Sequence, residues 1–77
     1  MRVGLILYQR DDCHLCDLAL EVLARARAPE FVSVFIDFDS DLEQRYGARV
    51  PVLRDTENDA ELQWPFDPAQ VERWLTG

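Results

Sequence analysis

The sequence predicts a small α/β sandwich with the element order β-α-β-α-β-β-α. Three observations indicate it: a strand-length apolar run near the start, an amphipathic stretch with helical spacing after it, and later short segments rich in β-branched or aromatic residues. An opening strand, helix and strand imply a right-handed parallel unit whose sheet is covered by helices. A chain of 77 residues falls below the usual ~100 to 200 residues per domain, so we expect one domain over residues 1–77.

The first two elements follow from the spacing of apolar residues. Val3 to Tyr8 forms a continuous apolar run, which indicates a central strand buried on both faces. Apolar residues then recur at three- and four-residue spacing from Leu15 to Ala26, and this spacing predicts a helix from about Cys13 to Ala28. Pro29 forbids continuation because proline lacks a backbone donor and clashes with the preceding turn.

The second strand and the second helix come next. Phe31 to Phe38 is rich in β-branched and aromatic residues and predicts a strand with one wholly apolar face. That face comprises Val32, Val34, Ile36 and Phe38. Ser40 followed by Glu43 has the form of a capping box, and Gly47 can end a helix. We therefore expect a short helix over about Asp41 to Tyr46.

A hairpin and a final helix complete the chain. Val50 to Arg54 and Ala60 to Trp64 are typical of strands, and the polar turn between them predicts an antiparallel pair. Asp67 can cap the last helix, with Pro68 at its first position. The inward stripe of this helix is Val71, Trp74 and Leu75.

The charge balance excludes two classes of partner. Asp and Glu total 15 against eight Arg and no Lys, and the net charge of −7 opposes binding to nucleic acid or an anionic membrane. The apolar run at the start lacks the length of a secretory segment, and no run approaches the ~18 residues of a membrane span. We therefore expect a cytoplasmic protein, whose thiols are kept reduced.

The only two cysteines occupy the loop where the first strand leads into the first helix. This is a favoured place for chemistry in an α/β sheet. Cys13 lies near unpaired backbone N–H groups and the positive end of the helix dipole, which favour the attacking thiolate. Cys16, three residues later on the same helical face, is within reach and more buried. The pattern predicts that Cys13 attacks a substrate disulfide and that Cys16 resolves the mixed disulfide.

Other readings of the pair remain open. A structural disulfide would close a loop of only four residues, worth about 2 kcal/mol, and the cytosol would tend to reduce it. Zinc needs four ligands, whereas the chain offers Cys13, Cys16 and a His14 that points elsewhere on the helix. His14 can stabilise the thiolate when protonated, although a histidine on an exposed first turn is more often a bystander.

Three features of the sequence carry a resemblance to a known family: residues 7–16 (LYQRDDCHLC), residues 49–53 (RVPVL) and the order of the elements. Together they resemble the glutaredoxin branch of the thioredoxin-like superfamily. The likeness covers nearly the whole chain and is strongest to short glutaredoxin-like members of unassigned function. It implies a thioredoxin-like, glutaredoxin-type sandwich with a four-stranded mixed sheet, whose first strand lies between the second and third. It also implies that Cys13 is the nucleophile, Cys16 the resolving cysteine and Arg10 the basic residue that precedes them.

The resemblance extends to the substrate site. Val50 and Pro51 match the valine and cis-proline whose backbone lies beside the active cysteine and pairs with the substrate. Asp67 matches the acidic residue that holds the glutamyl end of glutathione, although residues 63–66 (QWPF) replace the family's Gly-Gly turn with bulky side chains. Arg10 can steer a substrate carboxylate or pair at the surface with neighbouring Asp11 or Asp12.

The function that these observations predict is a dithiol–disulfide oxidoreductase acting on glutathione mixed disulfides or protein disulfides. We expect a monomer with no metal and no tightly bound cofactor, with glutathione as a possible co-substrate. One alternative is a redox-sensing or iron–sulfur-cluster-binding adaptor in which two chains hold the cluster through Cys13. Another is an interaction module whose cysteines serve no turnover, since this fold hosts unrelated roles.

Overall fold

The computed structural model describes residues 4–76 and has the predicted order of elements. The predicted beginning of the first strand at Val3 lies outside the described residues. The elements are β1 (Leu5–Gln9), α1 (His14–Arg25), β2 (Val32–Phe35), α2 (Ser40–Tyr46), β3 (Val52–Asp55), β4 (Ala60–Gln63) and α3 (Pro68–Thr76). Within residues 4–76, no helix is long and apolar enough to cross a bilayer.

The sheet is mixed and has the strand order β2-β1-β3-β4, which confirms the inner position of β1. β1 runs parallel to β2 and antiparallel to β3, and β3 and β4 form the expected antiparallel hairpin. Tyr8 near the end of β1 lies opposite Val52 at the start of β3, which lies opposite Gln63 at the end of β4. The loops after β1, before β3 and after β4 therefore meet at one end of the sheet.

Two apolar clusters lie on opposite faces of the sheet, because successive side chains of a strand point to opposite sides. Helices α1 and α3 cover one face. Its buried residues are Leu7, Ala19, Leu23, Ala26, Leu53, Phe66 and Val71, with Trp74 and Leu75 packed against them. Helix α2 covers part of the other face, whose buried residues are Tyr8, Ile36, Tyr46 and Val52. The predicted inward stripe of the last helix is confirmed.

The second cluster contains two tyrosines whose rings stack with centroids 4.2 Å apart. The Tyr46 hydroxyl donates a hydrogen bond to Glu61 Oε2 at 2.7 Å, and Arg54 Nη1 donates to the Tyr8 hydroxyl at 3.4 Å. Burial, helped by the bond to Glu61, raises the pKa of Tyr46 to about 12. The polar ends of both rings thus have partners, as buried tyrosines require.

Helix α1 ends at Arg25, three residues before the predicted end. Arg27 adopts a left-handed conformation with φ 54°. Its N–H donates to Ala24 O at 3.1 Å, and the N–H of Ala28 donates to Leu23 O at 3.1 Å. These two bonds form a Schellman turn, so the helix stops before Pro29 can act.

Strand β2 covers only Val32–Phe35, so the predicted strand from Phe31 to Phe38 is too long, and its apolar face is only partly buried. Ile36 is fully buried, but Val32 is 61% exposed and Phe38 is completely exposed. β2 is an edge strand paired on one side only, and the seven residues of α2 cover only part of this face. Apolar periodicity alone does not reveal that a strand lies at an edge.

The predicted capping box of α2 is also wrong, because its N-cap is Asp39. The Asp39 carboxylate accepts hydrogen bonds from the N–H groups of Asp41 and Leu42 at 3.0 and 3.1 Å. Gly47 follows the helix as predicted, although its φ of −51° is right-handed. A Cβ at Gly47 would lie 2.4 Å from the carbonyl oxygen of Glu43, so this close approach requires glycine.

Candidate active site

Cys13 caps the N-terminus of α1 with an extended backbone, φ −118° and ψ 110°. Its Sγ accepts a hydrogen bond from the Cys16 N–H at 3.3 Å, and its carbonyl oxygen accepts one from Asp17 N–H at 3.2 Å. The sulfur therefore occupies the position of a capping oxygen, where N–H groups and the helix dipole stabilise negative charge. Both cysteines are free thiols.

The two thiols differ in exposure. Cys13 is half-buried, whereas Cys16 is only 1% exposed. Burial raises the pKa of Cys16 to about 11, and its hydrogen bond with Cys13 and the charge of Cys13 act in the same direction. A thiol with this pKa is neutral near neutral pH and is shielded from solvent, so of the two sulfurs only Cys13 is exposed enough to meet a substrate. The expected difference in burial is observed, while the two catalytic roles remain predictions.

Arg10 is held by the second helix, not by its acidic neighbours in sequence. Its Nη1 donates to Glu43 Oε2 at 2.6 Å, and its Nη2 donates to Glu43 Oε1 at 2.7 Å and to the Gly47 carbonyl at 3.0 Å. The alternative partners considered from the sequence, Asp11 and Asp12, are therefore not the ones observed. This two-point pairing is the geometry that guanidinium and carboxylate groups prefer.

Arg10 of the Arg10–Glu43 ion pair interacts electrostatically with Cys13. Hydrogen bonding to Glu43 raises the pKa of Arg10, and the charge of Cys13 adds to the rise. The same hydrogen bond lowers the pKa of Glu43. Arg10 is thus a fixed positive charge within electrostatic reach of the Cys13 sulfur, and its role in substrate binding stays a prediction.

The Val50–Pro51 peptide bond is cis, as the resemblance implies. Pro51 is buried at the start of β3, and its carbonyl accepts a hydrogen bond from Trp64 N–H at 3.2 Å. Val50 N–H donates to the Tyr46 carbonyl at 3.0 Å. Since β3 begins where β1 ends, this loop and the Cys13 loop lie at the same end of the sheet. That Val50 and Pro51 bind substrate stays a prediction.

The segment after β4 leads into α3. Asp67 caps this helix as predicted: its Oδ1 accepts from Gln70 N–H at 2.7 Å, and its own N–H donates to Gln70 Oε1 at 3.1 Å. Phe66 is buried in the main core, and Trp64 meets it edge-to-face with ring centroids 5.0 Å apart. The Trp64–Pro65 bond is also cis, which the sequence analysis did not anticipate. Asp67 remains the predicted contact for glutathione.

Sequence reasoning missed two acidic residues of this site. Glu43 anchors Arg10 across 33 positions of the chain, and Asp37 Oδ1 accepts a hydrogen bond from Asp11 N–H at 2.9 Å. The Asp37 bond ties the loop before Cys13 to the segment after β2. Neither partnership follows a local spacing rule, so only the tertiary structure reveals them. Among the described residues, no group of three or more His, Cys, Asp or Glu is arranged to hold a metal ion.

The protein has a thioredoxin-like fold. Three features define it: the strand order, the cis-proline before β3 and the cysteine pair at the start of α1. Residues 4–76 match the family model described as Glutaredoxin-like domain (DUF836). The chain belongs to this glutaredoxin-like family, so a redox-related role fits the family and the paired cysteines.

Solved structures support the same assignment. The chain is similar to the target protein XcR50 from X. campestris, whose X-ray structure has a TM-score of 0.90 and 62% identity, covering 95% of this chain and 96% of that one. Protein Ne2328 from Nitrosomonas europaea, solved by solution NMR, has a TM-score of 0.71 and 31% identity, covering 96% and 92%. No curated protein matches the chain significantly.

Proposed function

We propose that this protein is a thiol–disulfide oxidoreductase in which Cys13 and Cys16 reduce protein disulfides or glutathione mixed disulfides. The observation that carries the proposal is the arrangement of the pair: a half-buried sulfur at the helix N-cap, bonded to the N–H of a cysteine that is itself 1% exposed. This arrangement supports one attacking and one resolving thiol.

The reaction transfers two electrons from the protein to the substrate. Cys13 thiolate attacks one sulfur of the substrate disulfide, and the other sulfur leaves as a thiolate that takes a proton from water. Cys16 then loses its proton and attacks Cys13 Sγ, which releases the second substrate thiol. The substrate disulfide becomes two thiols, and a Cys13–Cys16 disulfide forms. Glutathione or a protein dithiol is the class of reductant that restores the pair.

The raised pKa of Cys16 fits the order of these steps. While Cys13 is free, its charge and its hydrogen bond help to keep Cys16 protonated. Both effects end when Cys13 enters a mixed disulfide, because its sulfur is then neutral and bonded to the substrate. The proton of Cys16 is thus held more weakly at the stage when Cys16 must attack.

The loop before β3 supports substrate positioning. In this proposal a substrate segment lies along Val50 and Pro51, at the end of the sheet that also carries Cys13. Val50 N–H is already bonded to the Tyr46 carbonyl at 3.0 Å, so its carbonyl oxygen is the group we assign to the substrate main chain. Arg10 is held in place by Glu43, so its guanidinium stays beside the loop that carries the sulfur.

Trapping of mixed disulfides by single-cysteine variants tests the proposal. Cys16→Ser leaves an attacking thiol without a resolving one, so it should accumulate a stable mixed disulfide with a glutathionylated peptide or an oxidised protein, detected by intact mass. Cys13→Ser is the matched control and should trap neither substrate. Equal trapping by both variants would contradict the assignment, and visible absorption with acid-labile sulfide in the purified protein would favour the cluster-binding alternative.

A further inference from the structure

Two phenylalanine side chains lie exposed beside the loop that carries the candidate nucleophile. Phe38 is fully exposed and Phe35 is 53% exposed. Together with Asp11 and Asp37 they line a shallow cleft of about 220 Å³. Asp11 N–H donates to Asp37 Oδ1 at 2.9 Å and belongs to the loop that ends at Cys13. The cleft therefore adjoins the proposed redox site.

The position of these rings in the sheet makes them accessible to a partner. Phe35 lies opposite Gln9 in the parallel register, at the end of β2 nearest the Cys13 loop. β2 is an edge strand, so its outer side is not paired within the described sheet. Large aromatic side chains that stay in water next to a reactive group are typical of interaction sites, because their burial on binding contributes strongly to affinity.

The charge around the cleft is concentrated in two short segments. Residues 10–12 and 37–43 carry six carboxylates and one arginine, a balance of −5 within a chain whose net charge is −7. The arginine of these segments, Arg10, is engaged in two hydrogen bonds to Glu43. Asp11 and Asp37 line the cleft itself, and the other carboxylates lie close to it in sequence, so the cleft is acidic and favours a partner of opposite charge.

We infer that the cleft between Phe35 and Phe38 is a docking surface for a basic protein segment that bears an apolar side chain and a disulfide-bonded cysteine. The inference rests on the proposed function and selects protein disulfides over glutathione mixed disulfides. Glutathione carries two carboxylates against one ammonium and has little apolar surface, so neither the charge nor the rings favour it. A second copy of this chain would bring the same acidic segments and be repelled.

Two peptide substrates of equal length test this surface. Each contains one cysteine in a mixed disulfide with cysteamine; one flanks it with arginine and leucine, the other with glutamate and serine. The wild-type protein should reduce the basic apolar peptide with the higher kcat/KM, and added salt should reduce the difference. Phe35→Ser combined with Phe38→Ser should raise KM for the basic peptide by about tenfold and leave reduction of 2-hydroxyethyl disulfide unchanged.

Two further variants serve as controls. Val32→Ser changes an exposed apolar residue at the far end of the same strand. It should alter neither KM for the basic peptide nor the rate of 2-hydroxyethyl disulfide reduction. Asp12→Asn combined with Asp41→Asn should weaken the salt dependence, and Asn tolerates the left-handed backbone of Asp12, φ 54°. Two results would overturn the docking surface. One is that the wild-type protein shows no preference for the basic peptide. The other is that the double phenylalanine variant loses as much activity on 2-hydroxyethyl disulfide as on the basic peptide.

A binding measurement separates failure of the docking surface from failure of the redox proposal. A fluorescent basic peptide with serine in place of cysteine should bind a Cys13→Ser, Cys16→Ser protein, and the two phenylalanine substitutions should weaken this binding by about tenfold. If binding follows this pattern but no disulfide is reduced, the docking surface stands and the proposed reaction fails. Sedimentation showing a dimer that the phenylalanine substitutions dissociate would overturn the inference, since a second copy would then cover the rings.

Discussion

Because Cys16 is more buried than Cys13, we can predict how slowly Cys16 reacts in a Cys13→Ser variant. Serine keeps an oxygen at the N-cap, so the start of α1 is preserved. Burial, the largest cause of the raised pKa of Cys16, is unaffected by this change. In the wild type, a pKa of about 11 in place of the ordinary 9.0 lowers the thiolate fraction about a hundredfold near neutral pH, and the loss of the Cys13 hydrogen bond and charge makes this reduction smaller in the variant.

Alkylation kinetics measure this fraction. We expect iodoacetamide to modify Cys16 in the folded variant more slowly than in the same variant unfolded in guanidinium, by up to about a hundredfold through ionisation alone. The folded rate should rise about tenfold for each pH unit from neutral to mildly alkaline solution, without a plateau. Cys13 in a Cys16→Ser variant provides the matched control and should react much faster.

Two results would refute the reasoning. Modification of Cys16 in the folded protein as fast as in the unfolded chain would show that burial does not protect it. A rate that levels off near neutral pH would show that the thiol ionises as an ordinary or activated cysteine, and the division of roles would have no physical basis.

The remaining predictions concern stability. Leu53→Ala, at a fully buried core position, should lower the free energy of unfolding by about 2 to 5 kcal/mol in chemical denaturation, whereas Val32→Ala, at an exposed edge, should change it by less than about 0.5 kcal/mol. Arg27→Gly should raise the melting temperature, since glycine adopts the left-handed turn without cost, whereas Arg25→Gly within α1 should lower it; the opposite order would contradict the Schellman assignment. The raised pKa of Cys16 means that the unfolded chain releases this proton first, so stability should fall by up to about 1.4 kcal/mol per pH unit between pH 9.0 and about 11. The free energy of unfolding measured against pH for wild type and for Cys16→Ser isolates that contribution. Equal slopes in the two proteins would show that it is absent.

The amino-acid sequence alone determined the order of the seven elements and the place of the cysteine pair. Both depend on neighbours in the chain: apolar spacing distinguishes strand from helix, and a cysteine before a helical pattern lies at its N-cap. The cis bond at Val50–Pro51 was predictable from the resemblance to a known family. The end of α1 was not predictable from Pro29, because a turn with non-glycine Arg27 stops the helix first.

Only the tertiary structure decided which residues surround the cysteines. Arg10 pairs with Glu43 because α2 packs beneath the loop after β1, and no local rule connects positions 33 residues apart. The burial of Cys16 depends in the same way on the sheet below α1. The sequence of β2 has the pattern of a buried strand, yet its edge position leaves Val32 and Phe35 in water. Strand order is set by long-range pairing, and periodicity within one strand carries no information about it.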